Sequence, residues 1–415
     1  MVLKQGSVAL VCAVLPASFA HAGSLVAGGN LDLSLPASTP AQAVWSPASS
    51  DPNAPYYDID WSLGLRGAYI ADNNGERFQS LVLPSVTLTH TARDLTFTGT
   101  ASAEVSKTGD GQFSVDDMRL QAGSVLNFDR ETSLATNAGI AVTQENPHNP
   151  DVATNVLDTP VQISGTADGT LTRKLGHFNV ALRGNAERDV FGPTTFTDNS
   201  TLDNTPQNNT QGGAGLRVGF DLTPVLQPFV DASAGRTVFD APSSGLGVKL
   251  DGNTYTVKTG VSAKWDALLE AEASIGLGLE HFDNASLSDV EATLYDASLT
   301  YHPTDTLTLN GDFATTISAP GPNAGGSAKV NYAATAKAAY TVNDWLTWRL
   351  SADWHNATYA DTTSTDKGYD LGVGADYLVN RHAKLSADYL FAHSEISPNP
   401  ATDSHTVTLG LTLQK

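Results

Sequence analysis

The sequence predicts an all-β chain: a transmembrane antiparallel β-barrel of roughly 16–18 strands, with eighteen as the leading count. Three observations carry this expectation. Hydrophobic residues make up 40% of the 415 residues, yet beyond the first turn of sequence no apolar run is long enough for a transmembrane helix. From Tyr56 to the end, segments alternate apolar and polar residues at period 2, which belongs to strands with one greasy and one wet face. The connections between those segments fall into two length classes that alternate along the chain.

Residues 1–22 carry Lys4, an apolar stretch from Val8 to Ala20 and an Ala20-His21-Ala22 ending, the pattern of a secretory signal peptide with cleavage before Gly23. The one cysteine, Cys12, lies in the apolar stretch, so the expected mature chain has neither thiol nor disulfide. Residues 23–55 follow as a Pro-, Ala- and Ser-rich arm, with Pro36, Pro40, Pro47, Pro52 and Pro55 closely spaced, expected on the periplasmic side as a linker or a plug. The barrel is expected over residues 56–415. A formal net charge of −21 makes nucleic acid a poor partner, and acidity by itself says only that the surface is solvated and self-repelling.

Within the barrel region the clearest strand runs from Trp345 to Asn356: Leu346, Trp348, Leu350, Ala352 and Trp354 share one face, while Thr347, Arg349, Ser351, Asp353 and His355 share the other. Val330, Tyr332, Ala334, Ala336 and Tyr340 oppose Lys329, Asn331, Thr335 and Lys337 in the same way. The phase blurs near Val290 to Thr300, which leaves the strand count open by two. Tight turns are expected near Ala92-Arg93-Asp94, Asp129-Arg130-Glu131, Arg173 to Gly176, Thr223-Pro224, Asp266, Pro303-Thr304-Asp305, Val342-Asn343-Asp344 and Asn380-Arg381-His382. Long polar loops such as Glu145 to Asp158, Gly192 to Gly213 and Asp240 to Asn253 lie between them. Short turns at one end and long loops at the other are how outer-membrane barrels are built, and an even strand count puts both ends of the chain on the periplasmic side. Aromatic residues beside the short turns, including Phe128, Phe178, Trp265, Tyr301, Tyr340, Trp345 and Tyr377, suit an interfacial girdle. A soluble sandwich, propeller or β-helix would instead turn its apolar phase inward, where these Ala- and Thr-containing faces make a thin core.

The stretches Leu81 to Thr89 (LVLPSVTLT), Gly176 to Arg183 (GHFNVALR) with Glu187, Arg188 and Asp189 downstream, and Thr406 to Leu413 (TVTLGLTL) resemble the putative β-barrel porin-2 family of alphaproteobacterial and related outer membranes. The resemblance covers roughly Tyr57 to Lys415. It implies an eighteen-stranded outer-membrane barrel and, for some members, association with secreted polysaccharide systems. One departure is the end of the chain, Leu413-Gln414-Lys415, where outer-membrane barrels commonly carry an aromatic residue read by the assembly machinery.

With the apolar phase against lipid, the other phase lines the lumen. The pore-lining candidates are Arg66, Glu104, Arg119, Arg183, Asp231, Lys258, Lys264, Glu270, Glu272, Glu280, Asp312, Lys337, Arg349, Asp353 and Asp388, with Asp60, Glu187, Lys329, Asp376 and Lys384 on the same phase. Such charges are either a solvated wall of mutually paired side chains or a selectivity device, carboxylates favouring cations and Arg or Lys the reverse. Glu270, Glu272 and Glu280 on one strand beside Lys258 and Lys264 on the preceding one make an acidic stripe next to a basic one. The inward phase is poor in aromatic residues, so no sugar track is read from it. The ten histidines are dispersed, with His90, His177, His302 and His382 at or next to short turns and His148 in a long loop, and no catalytic triad, metal spacing or cofactor motif stands out. The functional expectation is therefore a non-enzymatic outer-membrane channel for polar solutes or secreted polysaccharide. Its rivals are a closed structural or adhesin-like barrel and a lipid-active barrel enzyme. Expected partners are outer-membrane lipid and lipopolysaccharide, the barrel-assembly machinery and, through the resemblance, a polysaccharide-export system; the oligomeric state is not legible.

Overall fold

The computed structural model describes residues 57–73, 75–109, 111, 113–145, 155–320, 326–397 and 401–415; the expected signal peptide and Pro-rich arm lie outside them. Eighteen long strands follow one another. They are β1 (Asp58–Asp72), β2 (Gly75–Thr91), β3 (Leu95–Thr108), β4 (Phe113–Asn127), β5 (Thr132–Gln144), β6 (Val161–Leu175), β7 (Phe178–Phe191), β8 (Asn209–Phe220) and β9 (Leu226–Phe239). The second half holds β10 (Gly252–Trp265), β11 (Leu269–Phe282), β12 (Val290–Thr304), β13 (Leu307–Ser318), β14 (Lys329–Asn343), β15 (Leu346–Tyr359), β16 (Thr365–Asn380), β17 (Ala383–Ile396) and β18 (Thr402–Gln414). Each pairs antiparallel with its successor, and β18 pairs with β1 (Leu411 opposite Leu65, Gly410 opposite Arg66), so the sheet closes. Closure leaves no edge strand, which is the condition for a sheet to cross a bilayer. Lys415 fastens the seam, its Nζ 3.1 Å from Asp58 Oδ1 and 2.7 Å from the carbonyl of Ile59.

All eight tight turns are present, at residues 92–94, 128–131, 176–177, 221–225, 266–268, 305–306, 344–345 and 381–382. Asn and Asp side chains organise them: Asn343 Oδ1 accepts from the amides of Trp345 and Leu346, and Asn380 Oδ1 from that of His382. At the opposite end the connections are less uniform than their expected length class. β1 and β2 pair as far as Asp72 opposite Gly75, with Gly75 at φ 120°, so their connection is short, while those after β5 and β7 are long and meet through a small sheet of Val156–Asp158, Thr194–Phe196 and Thr201–Leu202. The blurred stretch is one strand, β12. Its ladder to β13 shifts between Tyr301 and Thr304 and, at the other end, stops at Asp296 opposite Ala314, which is why alternation fades there.

The apolar phase faces outward. Leu277 is 70% exposed, and Ile275, Val257, Leu350, Leu371 and Leu409 are exposed with it, whereas buried apolar clusters are confined to two small groups around Phe239, Leu250 and Phe282 and around Ala68, Ile70 and Leu81. An exposed apolar belt of this extent has lipid as its partner. Its height can be gauged on β10. Tyr255 and Trp265 share the outward phase ten residues apart, which at ~3.3 Å per residue and a tilt of ~40° is roughly 25 Å along the barrel axis, the height of a hydrocarbon band between aromatic girdles. The lower girdle packs in pairs, Trp345 with Tyr377 at 5.3 Å and Phe178 with Phe220 at 5.2 Å between ring centroids.

Candidate functional site

Following the ladders from strand to strand places all fifteen candidate residues on the inward phase. Arg349, for example, stands opposite Gly374, which stands opposite Asp388, then Thr408, then Ala68, while Trp348, Leu350 and Tyr389 occupy the outer phase. Ion pairs identify this phase as the concave one, because side chains two or three strands apart converge only inside a cylinder. Eighteen strands about 4.8 Å apart and tilted about 40° close on a backbone circle roughly 36 Å across.

The pairs reach further than neighbouring strands. Arg217 of β8 clamps Glu272 of β11 with two bonds of 2.7 Å, its guanidinium lying 3.5 Å over the ring of Phe229 on the way. Arg183 of β7 bonds Asp231 of β9, and Lys258 of β10 reaches Asp296 of β12 at 2.7 Å. Arg349 of β15 bonds Asp376 at 3.0 Å and Asp388 of β17 at 2.6 Å, and Lys384 adds a 3.5 Å contact to Asp376. Three of the bridges that skip a strand, from Arg183, Lys258 and Arg349, pass over a glycine. A Cβ on Gly276 would sit 2.7 Å from Lys258 Cγ, and one on Gly374 would sit 3.1 Å from Arg349 Nη2. The inward glycines of the sequence are thus the low ground that lets long cationic side chains lie flat along the wall.

The acidic and basic stripes of β10 and β11 are therefore not simply each other's partners. Lys264 does pair with Glu270 at 3.4 Å, but Lys258 and Glu272 go elsewhere and Glu280 accepts from Thr254 Oγ1. Asp353 accepts from Thr335 Oγ1 at 2.7 Å and stands directly opposite Asp370, two carboxylates face to face. Arg119 Nε donates to Asp117 at 2.8 Å, beside Glu104 on β3. Asp312 and Lys337 lie on adjacent strands β13 and β14 without a hydrogen bond between them. Arg217, Asp296 and Phe229 escaped the sequence reading, which placed Asp370 on the polar phase without counting it among the candidates. The partners of Arg217 on its own phase are Gly213, Gly215 and Gly219, which carry no polar signal, and Asp296 lies in the blurred strand. Of the inward aromatics, Phe229, Phe239 and Phe282 are 5%, 4% and 4% exposed, while Phe191 and Tyr359, at strand ends, are half-buried, with Lys329 over the Tyr359 ring.

A second charged set sits at the loop end of the outer phase. Arg188, on the phase of Leu182, donates to Asp240 at 2.8 Å, and Arg236, on the phase of Val238, donates to Asp283 at 2.7 Å; His281 meets Asp289 at 2.9 Å. The two arginine latches tie a strand end to the loop that follows the next strand but one, and His281 ties its strand to the loop that follows it. Hydrogen bonding from Arg188 and Arg236 holds the carboxyls of Asp240 and Asp283 below their usual range. A lowered folded pKa means the contribution is fully present above the free carboxylate value and lost only as pH falls through the lowered one. The hydrogen-exchange rate of residues 240–251, taken relative to the intrinsic amide rate at each pH, is expected to stay flat from pH 7 down to about 4 and to rise only below that. Arg188→Gln raises it at pH 7; a rise in the parent protein already near pH 6 would exclude the latch.

Among solved structures the chain is similar to the outer membrane protein opdK from Pseudomonas aeruginosa (11% identity, TM-score 0.43, covering 86% of this chain and 99% of that one). It is also similar to OccK5 (OpdH) of that organism (12%, TM-score 0.42, 86% and 98%) and to its siderophore receptor PirA (10%, TM-score 0.45, 87% and 81%). No curated protein matches the chain. The family model described as "Putative beta-barrel porin 2" matches residues 84–415, all of the barrel from within β2 to its last strand, and with the closed eighteen-strand sheet and its outward apolar belt this chain belongs to that family.

Proposed function

We propose that this porin-type outer-membrane barrel is a diffusion channel for small polar solutes, with a lumen that prefers cations. The observation that carries the reading is how lumenal charge is partnered. Most inward cations are committed to carboxylates, whereas several carboxylates are held by neutral donors: Glu280 by Thr254, Asp353 by Thr335, Asp168 by Asn137 and Asp189 by Gln162. Glu280 and Asp189 are buried, but among the described residues none of the four has a cation at salt-bridge distance, so they leave net negative charge in the wall, and such charge raises the local concentration of cations. Of the two cargoes open from the sequence, small solutes fit better than a secreted polysaccharide, because the inward rings are few, and Phe229, Phe239 and Phe282 are buried, with only Phe191 and Tyr359 at strand ends partly open, which makes no continuous stacking track for a sugar. The wall of β2 to β6, with Thr87 against Thr100 and Ser106 against Ser114, is a hydroxyl-lined sector that suits hydrogen-bonding solutes of either kind.

The test is conductance in a planar bilayer of the refolded chain from Gly23 onward, in parallel with a version lacking Gly23 to Pro55. The expected result is a stable open current with K⁺ favoured over Cl⁻ several-fold, reduced by Glu280→Gln and Asp353→Asn together. Silence in both versions returns the closed structural barrel, and current only in the shortened one makes the arm a plug.

A further inference from the structure

We infer that Arg66 is the lumenal docking point for the carboxylate of an anionic solute, a site within the channel just proposed. The wall has a construction rule: a long cation lies across a glycine of the next strand and ends on an acid of the strand beyond, as Lys258 does over Gly276 to Asp296 and Arg349 over Gly374 to Asp388. Arg66 of β1 follows the first half of the rule. Its neighbour in the ladder is Gly410 of β18, where a Cβ would fall 3.2 Å from Arg66 Cγ, so the side chain lies over that glycine toward β17. The second half is missing. The residue opposite Gly410 on β17 is Ser386, which carries no charge; the nearest acid of β17, Asp388 two residues on, is bonded by Arg349 instead; and among the described residues nothing hydrogen-bonds or ion-pairs with the Arg66 guanidinium, whose Nε is a buried donor with no acceptor.

The surroundings make this an anion site rather than a spare charge. Asp376 and Asp388 are already matched by Arg349 and Lys384, two carboxylates to two cations, so Arg66 adds one net positive charge to the patch. It lies near enough to Asp388 to feel that carboxylate but makes no bond to it. With Nε buried, docking would use the two Nη groups, whose paired donors match the spacing of the two oxygens of a carboxylate. In a lumen otherwise biased toward cations, one free guanidinium gives an acidic solute a single foothold and a neutral sugar none.

The probe pair is glucuronate against glucose, titrated calorimetrically at low ionic strength into the detergent-solubilised refolded protein and, separately, added during single-channel recording. Glucuronate is expected to bind and to interrupt the current while glucose does neither at the same concentration. Arg66→Gln should weaken glucuronate at least about tenfold, the size of a lost charge-assisted hydrogen-bond pair. Arg66→Lys should keep part of it, and Arg93→Gln in an exposed turn should change nothing. Each variant is first checked for heat-modifiable migration, and Arg66→Lys carries the test if the glutamine variant fails to fold. Equal binding of glucose, or unchanged glucuronate binding in a folded Arg66→Gln barrel, overturns the inference. Absence of current in every version would fail the channel reading instead, and the titration still decides the site.

Discussion

Arginine in place of Ile275 should destabilise the barrel by about 2–4 kcal/mol in a bilayer, the cost of a cation at the midplane of a lipid-facing wall. Ile275 lies on the outer phase of β11, opposite Thr259 of β10 and Tyr295 of β12, about midway between the levels of the aromatic residues Tyr255 and Trp265 that bracket the apolar belt. The side chain is half exposed, so no cavity or clash enters the comparison. Leu175→Arg, at the end of β6 beside the short turn, should cost only ~0–1 kcal/mol, since a cation at the interface snorkels to water. Reversible unfolding in vesicles, with both variants read against the parent, gives the depth profile directly. If the outer phase faced water, both substitutions would be neutral to within about 0.5 kcal/mol, as exposed surface changes usually are. A flat profile of that kind would remove the membrane assignment and the proposals that rest on it.

Depth and face were readable because they depend on the nearest residues only. In β15 the outer Trp348, Leu350 and Trp354 and the inner Arg349, Ser351 and Asp353 differ so sharply that no other period accommodates them. The turns at Asp129, Asp266 and Asn343 were readable for the same reason, as their side chains or backbone angles make the turn locally. Partnering was not readable. Arg217 and Glu272 are 55 residues apart, and they meet only because a closed cylinder curves β8 toward β11 and because Gly260 leaves space for Phe229 beneath the guanidinium. Neither curvature nor that gap is written in any one segment. The rim pairs Arg188–Asp240 and Arg236–Asp283 were hidden for another reason. Their arginines break the expected apolar phase, which is tolerable only because they stand at strand ends, and strand ends are what alternation fixes least. The same locality explains the β1–β2 connection. Asp72 pairs with Gly75, a short connection set by local chemistry, and the length asymmetry of the other loops was extended over it.

Removal of the Arg349 guanidinium is the larger stability effect expected inside the lumen. The side chain is 9% exposed and is shared by Asp376 and Asp388, whose own side chains are 20% and 10% exposed. Arg349→Met preserves much of the volume and leaves two carboxylates with Lys384 alone, 3.5 Å from Asp376. Breaking a buried pair from one side costs about 3–5 kcal/mol, because the charge left behind has lost its solvation and its partner. Lumenal water reaching Asp376 moves the expectation to the lower end of that range. Adding Asp388→Asn to Arg349→Met should recover most of the loss, since the pair as a whole is close to break-even. Arg66 makes the cycle more informative. Lying over Gly410 toward the same carboxylate, it is the one nearby cation with no bond to give up, and in the Arg349→Met barrel it is expected to take Asp388 as its partner. Arg66→Gln should then be nearly neutral in the parent but cost roughly a further 1 kcal/mol or more when Arg349 is methionine. Glucuronate binding should fall in the Arg349→Met barrel as well, because a guanidinium engaged by Asp388 is no longer available to a solute. Additive stabilities with undiminished binding would mean that Arg66 and Asp388 do not share an electrostatic site, and the free guanidinium would have to be explained by some feature of the wall other than the engagement of Asp388 by Arg349.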